Sequence, residues 1–258
     1  RCDGRLLKVV TPAAYENTEG ACPHRADCGG CTYQTVPYEE QLKIKEQQVR
    51  ALLDPVLPAG YNFEGIKGSP LTKAYRNKME FSFGDEYKDG PLALGLHKKG
   101  STYDVLSARD CKLVHEDMTK ILCCVLEYFQ ERKTSFYKKM QHVGYLRHLL
   151  LRRANTTGEI LVNLVTTSQE EMDLTPLKEA LLALDLEGKI VGFLHIINDG
   201  LSDMVRSDET RILYGQDYFY EEILGLKFKV TPFSFFQQVS FIFARFQGYL
   251  GAGVPRLA

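Results

Sequence analysis

Apolar and polar positions take turns from Tyr75 onward, with Met79, Phe81 and Phe83 interleaved with Lys78, Glu80 and Ser82. A period of two sends one set to each face of a β-strand. Leu92, Leu94 and Leu96 repeat the alternation after the turn signal Lys88-Asp89-Gly90-Pro91, and Lys98-Lys99-Gly100 leads into Thr102–Leu106. These runs predict a meander of antiparallel strands. Gly144–Arg153 and Glu159–Thr167 read as a hairpin turned by Asn155-Thr156-Thr157-Gly158, and Lys189–Ile197 as a buried strand. Short strands are expected at residues 5–10, 210–214 and 226–230.

Elsewhere the period is helical. Pro37 precedes an acidic first turn at Glu39 and Glu40, Leu42, Val49, Leu52 and Leu53 recur at helical spacing, and Pro55 ends the run. Lys43, Lys45 and Arg50 share its polar face with three glutamates, a solvated face. His115–Arg132 carries Ile121, Leu122, Val125 and Phe129 at helical spacing, and Leu174–Leu186 is a third helix. The pattern is α+β, a mostly antiparallel sheet with helices on one face.

Composition narrows this little. The 258 residues are 44% hydrophobic and 25% charged with a net charge of −1, ordinary for a soluble chain. A nucleic-acid surface would therefore be a local basic face. No apolar run approaches the roughly 20 residues that span a bilayer, and Arg1-Cys2-Asp3-Gly4 opens no signal peptide. Seven cysteines, an odd and uneven set, point to a reducing cytoplasm rather than a disulfide framework.

Three of those cysteines change the picture. Cys22, Cys28 and Cys31 are spaced C-x5-C-x2-C, with Gly29 and Gly30 letting the backbone wrap tightly. Three thiols in one loop suggest a thiolate-ligated metal site lacking a ligand, and Cys111 is the candidate fourth. Structural zinc sites usually bring two C-x2-C knuckles, whereas iron–sulfur clusters accept three ligands from one loop and a remote fourth. The cluster is the expectation, with zinc or no metal as the alternatives. His24 and His115 are read as surface or supporting residues rather than ligands. Cys123 and Cys124, in an apolar stretch, are read as core packing.

The motifs Cys22-Pro23-His24, Cys28-Gly29-Gly30-Cys31, Gln34, Tyr38-Glu39-Glu40-Gln41-Leu42-Lys43, Lys45 and Tyr75-Arg76-Asn77-Lys78-Met79-Glu80-Phe81 resemble the RNA (uracil-5-)-methyltransferases. The nearest likeness is to the cluster-containing bacterial enzymes that act on 23S rRNA. The resemblance implies a [4Fe–4S] cluster on Cys22, Cys28, Cys31 and Cys111. It implies a remnant of an RNA-binding TRAM β-barrel at residues 1–15, a cluster loop and helix at 16–58, and a central α+β RNA-binding domain at 59–231. Residues 232–258 would begin a methyltransferase domain. Phe235-Phe236-Gln237 matches that domain's entry motif, which implies that Gln237 contacts S-adenosylmethionine. The family's chemistry adds a cysteine thiolate to uracil C6, transfers the methyl to C5, and removes the C5 proton with a base. The Asp-Pro-Pro and catalytic cysteine segments do not follow Gln237, so the chain is expected to be a fragment inactive alone. A non-catalytic iron–sulfur RNA-binding or redox module is the competing reading.

Basic residues suggest where RNA would touch. Arg76 and Lys78 lie on the polar face of a predicted strand, as phosphate contacts or as partners of Glu80. Arg147, His148, Arg152 and Arg153 form the densest basic patch, either an RNA-facing edge with Tyr145 for stacking or edge-strand charges that resist aggregation. The chain is expected to be a cytoplasmic monomer with rRNA as its partner and no membrane contact.

Overall fold

A seven-stranded sheet carries the rest of the chain. The computed structural model describes residues 4, 9–16, 22–202 and 205–236. The strands are β1 (Lys78–Asp85), β2 (Leu92–His97), β3 (Val105–Ser107), β4 (Leu146–Arg153), β5 (Glu159–Thr166), β6 (Lys189–Ile197) and β7 (Glu209–Gly215). They lie in the order β3-β2-β1-β4-β5-β6-β7. Every neighbouring pair is antiparallel except β5 and β6. A parallel pair needs a crossover, and helix α3 (Thr175–Leu182) supplies it.

The alternation in β1 holds. Met79, Phe81 and Phe83 are buried, while Lys78, Glu80 and Ser82 on the opposite face keep some exposure. The buried set packs with Leu94, Leu149, Leu151, Val162 and Leu164 against two helices. One is α2 (Glu116–Glu131), which contributes Met118, Ile121, Leu122, Val125, Leu126 and Phe129; the other is α3, with Leu177 and Leu181. Phe129 meets Phe83 edge to face at 5.8 Å. Helix α1 (Tyr38–Leu53) starts and stops where its prolines indicate and buries none of its residues fully. Among the described residues no helix is long and apolar enough to cross a membrane.

The other sheet face holds a smaller core, in which Leu161, Val165, Leu194 and Ile196 meet Phe219 and Val230. The last two come from a hairpin of β8 (Phe219–Ile223) and β9 (Leu226–Val230). Strand β8 is absent from the hydrophobic pattern because its middle is Glu221. That carboxylate is fully buried and accepts from the Asn155 and Thr156 amides at 2.8 and 3.0 Å, which ties down the β4–β5 turn. Phe236 rests on Phe228, with ring centroids 6.0 Å apart, whereas Phe235 is 97% exposed.

Three expectations change. Val9 and Val10 lie in no strand, and Arg5–Lys8 fall outside the described residues. Helix α3 ends at Leu182 rather than Leu186. Strand β4 is no edge, because β1 pairs along one side and β5 along the other.

Helix α2 is pinned to the sheet by one buried ion pair. Arg153 Nε donates to Asp117 Oδ2 at 2.9 Å, with side chains 8% and 1% exposed. The carboxylate also accepts from the Glu187 and Gly188 amides at 2.9 and 3.0 Å. Burial alone would raise this carboxyl's pKa, but those amides and the guanidinium outweigh it, so it lies below the ordinary value. A depressed carboxylate stabilises the fold fully above its unfolded pKa of about 3.9 and loses that contribution as pH falls through its folded value. Asp117→Ala should cost about 3–5 kcal/mol at neutral pH, because it takes the buried carboxylate from Arg153 and leaves only Glu187 at 3.4 Å and the Ala154 carbonyl at 3.3 Å. In urea unfolding over a pH series, the gap to the parent chain should narrow below about pH 4. A gap independent of pH would contradict the role given to this pair.

Candidate metal centre

The cysteine loop is a chain of tight turns. Arg25, Asp27 and Cys28 amides fold back on the carbonyls of Cys22, His24 and His24 at 3.3, 3.2 and 2.8 Å. With little apolar content of its own, the loop takes its position from the turn after β2. Gly29 N–H donates to His97 O at 2.9 Å, Cys28 bridges Lys98, and Lys99 N–H donates to Asp27 O at 2.7 Å. Lys99 Nζ adds a bond to Arg25 O at 2.7 Å. The glycines are required by closeness: a Cβ on Gly29 would stand 2.9 Å from His97 O, and one on Gly30 would stand 2.7 Å from Leu96 Cδ1.

Cys111 arrives from the other end of the same hairpin. Ala108 N–H bonds Leu94 O at 3.1 Å, and Cys111 N–H turns back to Ala108 O at 3.2 Å. Cys22, Cys28, Cys31 and Cys111 then line one pocket, walled by Leu96, Leu106 and Leu113. Cys22 is 7% exposed and Cys111 9%. All four are free thiols.

Burial pushes the Cys28 thiol up, opposed by the Gly30 amide, whose N–H points at Cys28 Sγ from 3.4 Å. Burial likewise raises Cys111, opposed by the Leu113 and Val114 amides. Each of the two also feels the negative charge that Cys22 and Cys31 would carry. Like charges this close disfavour four bare thiolates, and a cation among them removes the conflict. The amides aimed at sulfur suit thiolates already carrying charge. Two polar atoms at the same pocket, His24 Nε2 and Gln34 Oε1, are buried without a hydrogen-bond partner. Among the described residues no group of three or more His, Cys, Asp or Glu is arranged to hold a metal ion. What the four thiols share is the lining of one pocket.

The remaining candidates fall elsewhere. His115 caps α2 by accepting from the Asp117 amide at 3.2 Å. Cys123 and Cys124 are half-buried against the main core. Arg76 is half-buried, with Nη1 3.9 Å from Met79 Sδ, and its amide donates to Leu113 O at 3.0 Å. Lys78 Nζ lies 3.7 Å from Glu80 Oε2 on the same strand. Gln237 and Cys2 lie outside the described residues.

The basic patch on β4 needs correction. Arg147, His148 and Arg152 are 3%, 5% and 2% exposed, and Tyr145 is wholly buried, so none of them presents a surface to RNA in this chain. Arg147 donates to the Asn198, Gly200 and Ser202 carbonyls at 2.7, 2.6 and 2.8 Å, and its guanidinium lies 4.4 Å over the Tyr137 ring. Arg152 donates to Pro232 O and Ser234 O at 2.9 and 2.6 Å, and burial lowers its pKa to about 10. His148 Nδ1 sits 3.4 Å from Ser82 Oγ. Arg147 and Arg152 clamp later segments onto the sheet. His24, read from sequence as a surface or supporting residue, and Gln34, quoted there only as part of a motif, both line the thiol pocket.

No protein-family model matches the chain. A protein of Clostridium tetani described as an uncharacterized RNA methyltransferase is 47% identical over 234 residues, 91% of this chain and 51% of the relative. Another of that description, from Clostridium acetobutylicum, is 48% identical over 241 residues, 92% of this chain and 52% of the relative. A third, from Caldanaerobacter subterraneus, is 44% identical over 93% of this chain and 53% of its own length. The chain spans about half the length of the curated relatives it matches. The crystal structure of Pyrococcus abyssi tRNA (uracil-54, C5)-methyltransferase in complex with S-adenosyl-L-homocysteine superposes with a TM-score of 0.70 at 22% identity. That match covers 90% of this chain and 52% of that one. At such identity the likeness shows the fold.

Gly29→Ala sets a methyl group against a backbone carbonyl that cannot swing away. It should loosen the loop by on the order of 1–3 kcal/mol. In the metal-free chain, Cys28 and Cys31 should then react with iodoacetamide severalfold faster, while Cys123 is unchanged. Equal rates for Cys28 in both chains would mean that the loop is not held by its contact with the turn after β2.

Proposed function

We propose that the chain, which is similar along about half of their length to proteins described as RNA methyltransferases, is the cluster-bearing, RNA-holding part of an S-adenosylmethionine-dependent uracil-C5 methyltransferase. The substrate proposed is 23S rRNA, and the setting a cytoplasmic monomer. Cys22, Cys28, Cys31 and Cys111 would hold a [4Fe–4S] cluster. The observation that carries this reading is the meeting of a distant thiol with the loop's three at one pocket. Three thiols from one loop with a remote fourth suit a cluster, whereas structural zinc sites bring two C-x2-C knuckles.

When bound, such a cluster supplies electrons or a structural tie. Cys22, Cys28, Cys31 and Cys111 would ligate it, and the Gly30, Leu113 and Val114 amides would stabilise the sulfur charge. Methyl transfer itself needs a thiolate to attack uracil C6 and a base to take the C5 proton. Those groups are proposed to belong to the part of the relatives that this chain does not span. Gln237 would touch the methyl donor, and Arg76 and Lys78 would lie toward RNA phosphates.

The test is chemical analysis after anaerobic purification. About four iron and four sulfide per chain, with broad visible absorbance, are expected. Cys111→Ala should lose the cluster as completely as Cys28→Ala, because each removes one of the ligands that join separate segments. Colourless protein with stoichiometric zinc, or iron content untouched by Cys111→Ala, would overturn the assignment. Incubated with S-adenosylmethionine and 23S transcript, the chain alone should bind RNA and form no 5-methyluridine.

A further inference from the structure

A groove runs beside the thiol pocket, between the cysteine loop, α1 and residues 66–75. Its walls are built. Gln41 Nε2 donates to the Tyr33 and Val36 carbonyls at 3.0 and 2.9 Å, which fixes the loop's exit to α1. The Ser69 amide donates to Tyr38 Oη at 2.6 Å, and Gly68 packs so closely that a Cβ would meet Leu42 at 3.3 Å and the Tyr38 ring at 3.4 Å. Ala74 N–H donates to Lys112 O at 2.8 Å, bringing the far wall alongside Cys111.

Charge is segregated there. Lys45, Lys67, Lys73 and Lys112 line the groove, and no carboxylate does. The whole chain has a net charge of −1, so this cluster of cations departs from the average. Lys45, Lys73 and Lys112 are exposed and have no carboxylate partner among the described residues. Elsewhere on α1 the cations are neutralised, Lys43 by Glu40 at 2.6 Å and Arg50 by Glu46 at 2.9 Å. Three tyrosines, Tyr33, Tyr38 and Tyr75, line the same groove, and Tyr33 is 40% exposed.

We propose that this groove is a track for single-stranded RNA, its lysines on the phosphates and Tyr33 under a base. The proposal rests on the RNA reading above and goes beyond it by naming the surface. Lys45, Lys73 and Lys112, exposed and without a carboxylate partner among the described residues, can displace counterions, and an aromatic face accepts any base. A duplex presents no unstacked bases, so the groove prefers single strands. Cys22 and Cys31 form part of one wall and Lys112 follows Cys111, so the groove adjoins the thiol pocket.

The experiment uses the 258-residue chain as purified anaerobically and a short fluorescein-labelled uridine-rich RNA, single-stranded or as a duplex, read by anisotropy across salt concentrations. The variant Lys45→Ala/Lys73→Ala/Lys112→Ala should weaken binding at least tenfold and lower the salt slope by about 2, as expected for three lost contacts to a single strand. Lys88→Ala/Lys178→Ala/Lys227→Ala removes equal charge off the groove and should change affinity little. Tyr33→Ala should weaken binding roughly tenfold and Tyr33→Phe should restore it, which separates stacking from folding. If the parent chain binds but both triple variants behave alike, or duplex binds as well as single strand, RNA lies elsewhere and the groove assignment fails while the RNA reading stands. If the parent chain binds no RNA, both fail.

Discussion

The pairing of the cysteine loop with the turn after β2 is the contact on which the thiol pocket depends. Gly29 to His97, Cys28 against Lys98 and Lys99 to Asp27 place three thiols over one end of a hairpin whose other end delivers Cys111. Each hydrogen bond adds only about 1 kcal/mol net, so a loop without a core of its own lies at the low-stability end of the molecule. Glycine makes the contact possible at all, since side chains at Gly29 and Gly30 would occupy the space that His97 O and Leu96 fill. Anything that binds all four thiols would add its binding free energy to the loop.

Local pattern carried most of the elements. Strand β1, helices α1 and α2, and strand β6 all follow from periodicity with punctuation, because for each of them one face or the whole strand is buried in a single way. Strand order was not legible. β4 enters the sheet between β1 and β5, after a long excursion through α2, and no local signal states that neighbour. Its arginines misled for the same reason. A guanidinium in a strand reads as exposed because burying it unpaired is costly, and the carbonyls that satisfy Arg147 and Arg152 come from residues 198–202 and 232–234. Glu221 hid β8 by the same logic.

The thiol site was more legible than the surface around it. Thiols and glycines at fixed spacing are a chemical signature, and Cys111 is picked out because it ends a predicted meander. The groove has no such signature. Its lysines are scattered over α1, residues 66–75 and the segment after Cys111, and each alone looks like an ordinary solvated charge. Only the fold removes the carboxylates from between them.

Residues 112–114 join these parts. Lys112 O and Leu113 O accept from the Ala74 and Arg76 amides, so this segment is paired to the entry of β1. The Leu113 and Val114 amides turn toward the Cys111 sulfur, and the Lys112 side chain lines both the thiol pocket and the groove. A shift of Cys111 would therefore move the groove's wall and the first residues of the central sheet through backbone bonds, not through side chains that could rearrange. The thiol pocket and the basic groove thus share Cys22, Cys31, Gln34, Lys112 and Leu113 in their walls, and backbone bonds tie that shared wall to the entry of the sheet.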